Sequence, residues 1–455
     1  MPPSRRAPRA AVIVVGVLLL GTGAACSSAS AGSGTNTVPS KEYGVGKLSE
    51  TFVDPHRVTP AWGSTPQLPS RSLVSTLYYP SASPASKKPV QGAAPDRRGG
   101  PYPLIVFAHG LGGAPEDYAS LLAGWASAGY VVVAPRFPLS SSATPGGPDG
   151  GDIVNQPADM SFVIDSVLAL DAQPTGTLTG LVDRNEIGAA GHSNGAITVL
   201  GLVANTCCRD PRVKAAVVMA GTTEGFGSGT YDLPSAPPLL LVHGTADELV
   251  PYRGAVLVFD QARGPKGLLT IHGGSHQSAA GLSAASAAEV MATTTDFFDA
   301  YLRHQPGAAA RIGSAGTSRE TSVTFDATVG SQSRLPVPPA PVVHLHATVT
   351  PDTGLSAGQT LTVRWSGYTP GKVVNVLECS KVDIASADSS GCDFSNGKIL
   401  YPDPRGSGSL TIRVVEGAVG DGTCDATHRG CSIIVNNSSS TDPSETHVLP
   451  ISFAS

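Results

Sequence analysis

The stretch Ile187-Gly-Ala-Ala-Gly-His-Ser-Asn-Gly-Ala196 decides the fold, because it closes a short apolar run and opens a segment with helical spacing. At its centre, Gly191-His-Ser-Asn-Gly195 is a Gly-x-Ser-x-Gly pattern. Small residues flank Ser193 because a sharp turn from strand to helix leaves no room for a Cβ nearby. Such a turn lifts the serine hydroxyl clear of the sheet. The pattern therefore predicts that Ser193 is a nucleophile.

Similar apolar runs lie on both sides of this stretch, and each is rich in β-branched residues with little polar alternation, as in strands buried on both faces. The runs are Leu104–Ala108, Tyr130–Ala134, Ile187–Ala190, Lys214–Ala220, Pro238–His243 and Gly267–His272. Segments with helical spacing separate them, at 119–129, 158–170 and 196–205. This repeated order predicts an α/β domain with a doubly wound, mostly parallel sheet.

A serine nucleophile needs a base, and the base needs a carboxylate that orients it. Asp247 follows the buried run that ends at His243, and His276 lies in a Gly-rich loop after the next strand. The chain order Ser, Asp, His is the order of the α/β-hydrolase fold. Glu248 is the alternative acid, and the alternative bases His109, His192, His243 and His272 are each less favoured.

A Gly-rich turn, His109-Gly-Leu-Gly-Gly113, follows the first strong strand. A turn at this place can direct a backbone N–H into the site. The N–H groups of Leu111 and Asn194 are therefore predicted to form an oxyanion hole, in which each donor contributes about 3 kcal/mol to transition-state stabilisation.

The chain has 455 residues, of which 41% are hydrophobic and only 14% are charged. This length favours two folded units, and the composition excludes a wholly disordered chain. Its 53 Gly and 38 Pro favour strands, turns and linkers over a charged helical bundle. With a net charge of −5 and no basic block beyond the N-terminus, nucleic acid is not expected as a partner.

The pattern changes after a stretch rich in Pro, Gly and Ser, at 306–341, which is predicted to be a linker. Gln359–Gly367 alternates polar and apolar residues and places Leu361, Val363 and Trp365 on one face. Leu410–Val414 alternates in the same way. Residues 342–455 are therefore predicted to form an all-β sandwich.

Arg5, Arg6 and Arg9 precede an apolar run, Ala10–Leu20, and then small residues before Cys26. This order predicts an export signal. It resembles a bacterial lipoprotein signal, which implies a signal peptide at 1–25, lipidation of Cys26, and a flexible tether over 26–45. The expected location is then the outer face of the cell membrane, with plain secretion as the alternative and a twin-arginine signal less favoured.

An exported chain is expected to form disulfides. The last four cysteines allow three pairings, of which Cys379–Cys392 with Cys424–Cys431 is favoured because both close short loops. Cys207 and Cys208 are predicted to form a vicinal disulfide or to be two small buried residues. Metal binding is not expected, since no cysteine spacing is the tight C-x-x-C of zinc sites.

The segment from about Tyr43 to Leu302 resembles the α/β-hydrolases, in the branch of dienelactone hydrolases, chlorophyllase-like proteins, platelet-activating-factor acetylhydrolases and cutinase-type lipases. The resemblance rests on Pro103–Gly113, Trp125–Pro135, the Gly-His-Ser-Asn-Gly elbow and His243–Glu248. It implies a catalytic domain at 46–305, in which Ser193, Asp247 and His276 act on esters without a metal or cofactor.

The tail from His346 resembles the neocarzinostatin family of immunoglobulin-like sandwiches, on the basis of Ala347–Val363 and the four cysteines in order. That family holds an apolar chromophore, so a small apolar ligand is one expectation for this domain. A carbohydrate-, polymer- or surface-binding module, or a plain spacer, is another. Eleven acidic against seven basic residues from His346 onward do not suit a polyanion.

Together these observations predict an extracytoplasmic serine ester hydrolase with a C-terminal sandwich. Its substrate is a small-molecule or polymeric ester, whose acyl length the sequence does not specify, and the loop at 140–152 is expected to form part of the groove rim. The alternatives are a serine peptidase of the same fold and a non-enzymatic carrier of an apolar ligand with antibiotic-type activity.

Overall fold

A computed structural model describes residues 42–62, 65–223, 229–338, 346–368, 374–381, 391–400, 406–420, 422–428, 430–437 and 446–454. The predicted signal, the lipidation site Cys26 and most of the tether lie outside these residues. Within the described part of the chain, no helix is both long and apolar enough to cross a membrane.

The first half of the chain forms one sheet of ten strands, with the order β10-β9-β8-β7-β6-β4-β5-β2-β1-β3. Neighbouring strands from β4 to β9 pair in parallel, whereas β1, β2 and β10 pair antiparallel with β2, β5 and β9. The strands are β1 Gly44–Asp54, β2 Arg71–Ser81, β3 Ser86–Gln91, β4 Tyr102–Ala108, β5 Val131–Arg136, β6 Val182–His192, β7 Val213–Met219, β8 Leu239–Gly244, β9 Lys266–Ile271 and β10 Thr321–Asp326.

Helices cover both faces of this sheet, which explains why its central strands are apolar throughout. On β4, Leu104 and Val106 pack in one hydrophobic cluster, while Ile105 and Phe107 pack in the cluster on the opposite face. The helices are α1 Ala119–Ser127, α2 Gln156–Asp171, α3 Asn194–Ala204, α4 Tyr252–Gln261, α5 Ala287–Tyr301 and α6 Ala308–Ala315. The predicted α/β class with a mostly parallel sheet is confirmed.

Residues 306–341 were predicted to be a linker, and the structure corrects this for the first part of the range. Helix α6 packs there, and β10 pairs with β9 from Thr321 to Asp326. The composition of this range did not indicate a strand. β10 is the edge strand of the sheet and is only partly buried, so it has just two apolar residues, Val323 and Phe325.

A buried ion pair fixes the short helix at 150–155 to the sheet. Arg71, at the start of β2, is fully buried and binds Asp159 of α2 through Nε at 2.7 Å. Its Nη2 donates to Asp152 of the short helix at 2.6 Å. Nη1 of Arg57 also lies 2.8 Å from Oδ1 of Asp159, so two guanidinium groups pair with the two buried carboxylates, as buried charges require. Asp152 and Asp159 are therefore structural groups.

The second half forms two antiparallel sheets that enclose a core of their own. One has the strand order β11-β12-β15 and the other β14-β13-β18-β19, and a two-stranded ribbon, β16-β17, joins them. Leu361, Val363 and Trp365 of β12 all lie in the core, as the alternation predicted. The strands are β11 His346–Thr350, β12 Thr360–Ser366, β13 Val374–Cys379, β14 Cys392–Leu400, β15 Gly408–Arg413, β16 Gly417–Val419, β17 Gly422–Cys424, β18 Ser432–Asn437 and β19 Thr446–Pro450.

Disulfides join three cysteine pairs in the described part of the chain. Cys379 is bonded to Cys392 and Cys424 to Cys431, while Cys207 and Cys208 form a vicinal bridge. The first bridge links β13 to β14, so it fixes the edge strand of the four-stranded sheet to its neighbour. Disulfides of this kind indicate an oxidising compartment outside the cytoplasm.

Glu378 of β13 makes the sandwich sensitive to pH. Its side chain is buried, Oε2 accepts a hydrogen bond from the N–H of Val415 at 2.8 Å, and Oε1 has no partner among the described residues. Burial raises the pKa of Glu378 from 4.5 to about 7. The folded state therefore favours the protonated acid, so the contribution of Glu378 to stability is fully present below pH 4.5 and is lost as the pH rises through 7.

We expect Glu378→Gln to remove this dependence. At pH 8 the buried carboxylate costs the folded state about 3 kcal/mol, and a neutral amide does not carry this cost. Calorimetry of the full chain should show that, between pH 5 and pH 8, the melting temperature of the sandwich falls by about 10 °C less in Glu378→Gln than in the wild type. Glu416→Gln, at an exposed position, is the control and should melt like the wild type. Equal pH dependence in Glu378→Gln and wild type contradicts the prediction.

Candidate active site

Ser193 lies at the turn between β6 and α3, in a backbone conformation that non-glycine residues rarely adopt (φ 57°, ψ −125°). The two glycines of the pattern are required by close approach. A Cβ on Gly191 would lie 2.2 Å from the carbonyl oxygen of Gly195, and a Cβ on Gly195 would lie 2.1 Å from that of Ala108. The strain is therefore held by backbone packing, and the turn places Ser193 in the wall of a cavity.

His276 and Asp247 approach from the loops after β9 and β8. The Nδ1 of His276 lies 2.8 Å from Oδ2 of Asp247, and both residues are buried. Because an ionised carboxylate only accepts hydrogen bonds, Nδ1 carries the proton and donates it. This tautomer leaves Nε2 of His276 as the basic nitrogen, and His276 lines the same cavity as Ser193.

The carboxylate of Asp247 remains ionised despite its burial. Burial alone raises the pKa of Asp247, but hydrogen bonds from His243 and His276 hold it well below its ordinary value. Its Oδ1 also accepts from the backbone N–H groups of Leu249 and Val250, both at 2.9 Å. A carboxylate fixed by backbone donors on one oxygen can orient an imidazole on the other.

The contacts and the exposure of the other candidate histidines distinguish them from His276. Nε2 of His243 lies 3.2 Å from Oδ2 of Asp247 and 2.8 Å from the carbonyl oxygen of Val250. His243 does not line the cavity, however. His109 accepts from the N–H of Phe137, and burial lowers its pKa to about 4. His272 is exposed and contacts Ser322, and the rival acid Glu248 is exposed as well.

His192, an alternative base in the sequence, is buried and holds neighbouring segments in place. Burial lowers the pKa of His192 to about 3, so the ring is neutral. Its Nε2 lies 3.1 Å from the carbonyl of His276, and its Nδ1 lies 2.9 Å from the hydroxyl of Tyr118, which accepts from the N–H of Gly110. One neutral imidazole thus connects the elbow, the loop of the base and the Gly-rich turn.

The Gly-rich turn after β4 lies next to the elbow, since a Cβ on Gly110 would lie 3.2 Å from the Cβ of Ser193. The N–H of Gly112 donates to the carbonyl of Ser140 at 2.8 Å, and that of Gly113 donates to Gly110 at 2.9 Å. These bonds fix the turn so that Leu111 lines the cavity together with Asn194. The two residues predicted to form the oxyanion hole therefore share one wall with Ser193.

The cavity has a volume of about 430 Å³ and combines an apolar wall with a few polar groups. Its apolar side chains are Leu111, Ile197, Leu249, Val250 and Leu282. Asn375 also lines it, although this residue lies on β13 of the sandwich. Neither Tyr118 nor Asn375 could be predicted to line the cavity, because a contact between distant segments leaves no local pattern in the sequence.

The fold and this site define an α/β-hydrolase domain followed by a β-sandwich. Residues 70–225 match the chlorophyllase family, and residues 347–453 match the neocarzinostatin family. These matches confirm the resemblance of each half. The chain therefore contains a region similar to the chlorophyllase family and, after it, a region similar to the neocarzinostatin family.

Two individual proteins are similar to parts of the chain. Macromomycin of Streptomyces macromomyceticus is 40% identical over 67 residues, which are 15% of this chain and 44% of that protein. The chain thus spans less than half the length of this relative. Among solved structures, the ferulic acid esterase from Streptomyces cinnamoneus aligns with a TM-score of 0.45 and 24% identity, over 64% of this chain and 98% of that one.

Proposed function

We propose that the protein is an extracytoplasmic serine hydrolase that cleaves carboxylic esters through an acyl-enzyme. One observation carries the proposal: a single cavity is lined by a serine on a strained elbow and by a histidine that is bonded to a buried, ionised carboxylate. Nucleophile, base and orienting acid are the three parts that nucleophilic ester cleavage requires.

In the first step, Ser193 Oγ attacks the carbonyl carbon of the ester while Nε2 of His276 takes the hydroxyl proton. Asp247 stabilises the imidazolium that results and keeps its proton at Nδ1. The carbonyl oxygen becomes an oxyanion, to which the N–H groups of Leu111 and Asn194 donate. Collapse of this intermediate breaks the C–O bond, and His276 returns the proton to the departing alcohol.

In the second step, water attacks the acyl-Ser193 ester and gives its proton to Nε2 of His276. The same two N–H groups stabilise the second oxyanion. When this intermediate collapses, the proton passes back to Ser193 Oγ and the carboxylic acid leaves. The residues named here need no metal or cofactor for either step.

The location is a further part of the proposal. The disulfides of the sandwich suit an extracytoplasmic protein. Lipidation of Cys26 would attach the enzyme to the membrane through the tether at 26–45, and its expected substrate is then a small or polymeric ester outside the cell. The mass of the N-terminal peptide of protein purified from membranes tests this, since an unmodified Cys26 contradicts the anchor.

Labelling with a fluorophosphonate probe tests the activated serine directly. The probe bonds covalently to a serine only where a base and an oxyanion hole activate it. We expect the mature chain, from Ser27 onward, to be labelled at Ser193 and the Ser193→Ala variant to remain unlabelled. Absence of label from a folded wild-type protein contradicts the proposal, as does label that persists in the variant.

A further inference from the structure

The central strand of the sandwich, β13, is buried on both of its faces. Val374 and Val376 point into the core of the sandwich. Leu377 belongs to the opposite face, where it pairs across the sheet with Ile434 of β18 and packs beside the Cys379–Cys392 disulfide. The outer face of such a sheet normally meets solvent, so another part of the molecule must cover it here.

The catalytic domain supplies this cover. Val154, in the short helix at 150–155, packs against the cluster that contains Leu377 and Ile434. Asp152 of the same helix is held by the buried Arg71, so the helix is a rigid support. A second contact joins the domains at the side, where Nζ of Lys398 lies 4.8 Å from the ring of Trp62.

Asn375 stands on the same outer face of β13, two residues before Leu377. Only 7% of its surface is exposed, and it lines the cavity that also contains Ser193 and His276. The packing of Leu377 on the catalytic domain therefore brings an amide of the sandwich into the wall of the catalytic cavity. That wall is built from two domains.

Asn194 contributes another side-chain amide to the same cavity. Only 6% of the surface of Asn194 is exposed. Among the described residues, neither Oδ1 nor Nδ2 of its side chain has a hydrogen-bond partner. A buried amide that lacks partners destabilises a protein by about 1 to 3 kcal/mol, so a hydrogen bond from a bound molecule to this amide would be favourable. Much of the remaining wall is aliphatic.

We propose that the sandwich domain is part of the substrate site, and that Asn375 acts with the side chain of Asn194 to select esters by a hydrogen bond. The preferred substrate carries a hydroxyl or carbonyl group beyond its scissile carbonyl, and the two amides bind that group while the aliphatic wall contacts the chain between. This inference rests on the proposed ester hydrolase. A substrate without the polar group leaves the buried side-chain amide of Asn194 unpaired and is disfavoured.

Matched ester pairs test the selection. The probes are 4-nitrophenyl esters of straight-chain acids with three to eight carbons, each beside its ω-hydroxy acid counterpart, and hexyl acetate beside 6-hydroxyhexyl acetate. The quantity measured is the ratio of kcat/KM within each pair. We expect the wild type to prefer the hydroxylated member of at least one pair. Asn375→Ala should reduce that preference by about 10-fold to 100-fold.

The ratio of kcat/KM within a pair distinguishes a loss of substrate recognition from a loss of folded protein. A smaller folded fraction lowers the rates on both esters of the pair by the same factor, so the ratio does not change. Thr348→Ala, at an exposed position of β11 on the other sheet, is the control and should keep the wild-type ratio. If Asn375→Ala keeps every ratio within twofold of wild type, or if wild type prefers no hydroxylated ester, the inference is wrong. Labelling of Ser193 in the same preparation shows whether the proposed hydrolase stands independently.

Discussion

Replacing Ser193 by Ala is expected to lower kcat on a short-chain 4-nitrophenyl ester by about 10⁶-fold. The variant keeps the cavity and the oxyanion donors, but no oxygen remains that can attack the carbonyl and form the acyl-enzyme. The small remaining rate comes from water within the polarised site. Release of 4-nitrophenolate by purified protein, with wild type measured in parallel, gives the ratio directly.

Ser142→Ala is the matched control for this measurement. Ser142 is exposed in the loop behind the Gly-rich turn, where its backbone N–H donates to the carbonyl of Gly113 at 3.3 Å. Removing its hydroxyl leaves that bond in place, so the rate should stay within twofold of wild type. A Ser193→Ala variant that keeps a tenth or more of the activity contradicts the assignment of the nucleophile.

Much of the catalytic domain could be predicted because its central strands carry a strong local signal. A strand such as β4 is apolar at every position, since α1 and α5 cover one face and α2 and α3 cover the other. The strained turn at Ser193 also leaves a local signal, because the close backbone approaches at Gly191 and Gly195 allow no side chain there. Signals of this kind need no knowledge of the rest of the chain.

The edges of the sheet were not predicted, and the reason is physical. β1 has several exposed positions, and β3 is exposed or half-buried along its length, so neither shows a continuous apolar run. The loop at 140–152 was expected to form the groove rim. Ser140 instead supports the Gly-rich turn from behind, through its hydrogen bond with Gly112, and the loop does not line the cavity.

The contact between the two domains could not be predicted from the sequence, and the reason is different. Asn375 and Leu377 resemble any alternating residues of a half-buried strand, and nothing nearby in the sequence indicates that the outer face meets Val154, more than 200 positions earlier. Because each domain has its own sequence motifs and a linker was predicted between them, the sandwich was interpreted as a separate accessory domain. The structure makes the sandwich a wall of the catalytic cavity, so its role is best sought in substrate selection.

We expect Asp247→Asn to lower kcat by about 10⁴-fold while the variant remains folded. Oδ1 of residue 247 accepts from the N–H groups of Leu249 and Val250, and an asparagine would keep its oxygen at this place. Its NH₂ group must then face Nδ1 of His276, which can only accept a hydrogen bond from it. The imidazole proton moves to Nε2, and the base can no longer take the proton of Ser193.

The exposed neighbour Glu248 provides the control, since Glu248→Gln changes charge equally without touching His276. Its rate should stay within twofold of wild type. Hydrogen bonds hold the pKa of Asp247 well below its ordinary value, so the wild-type carboxylate is ionised at the neutral pH at which the two rates are compared. A loss below tenfold, or an equal loss in Glu248→Gln, would mean that another group orients His276, and His243, 3.2 Å from the same carboxylate, would be examined next.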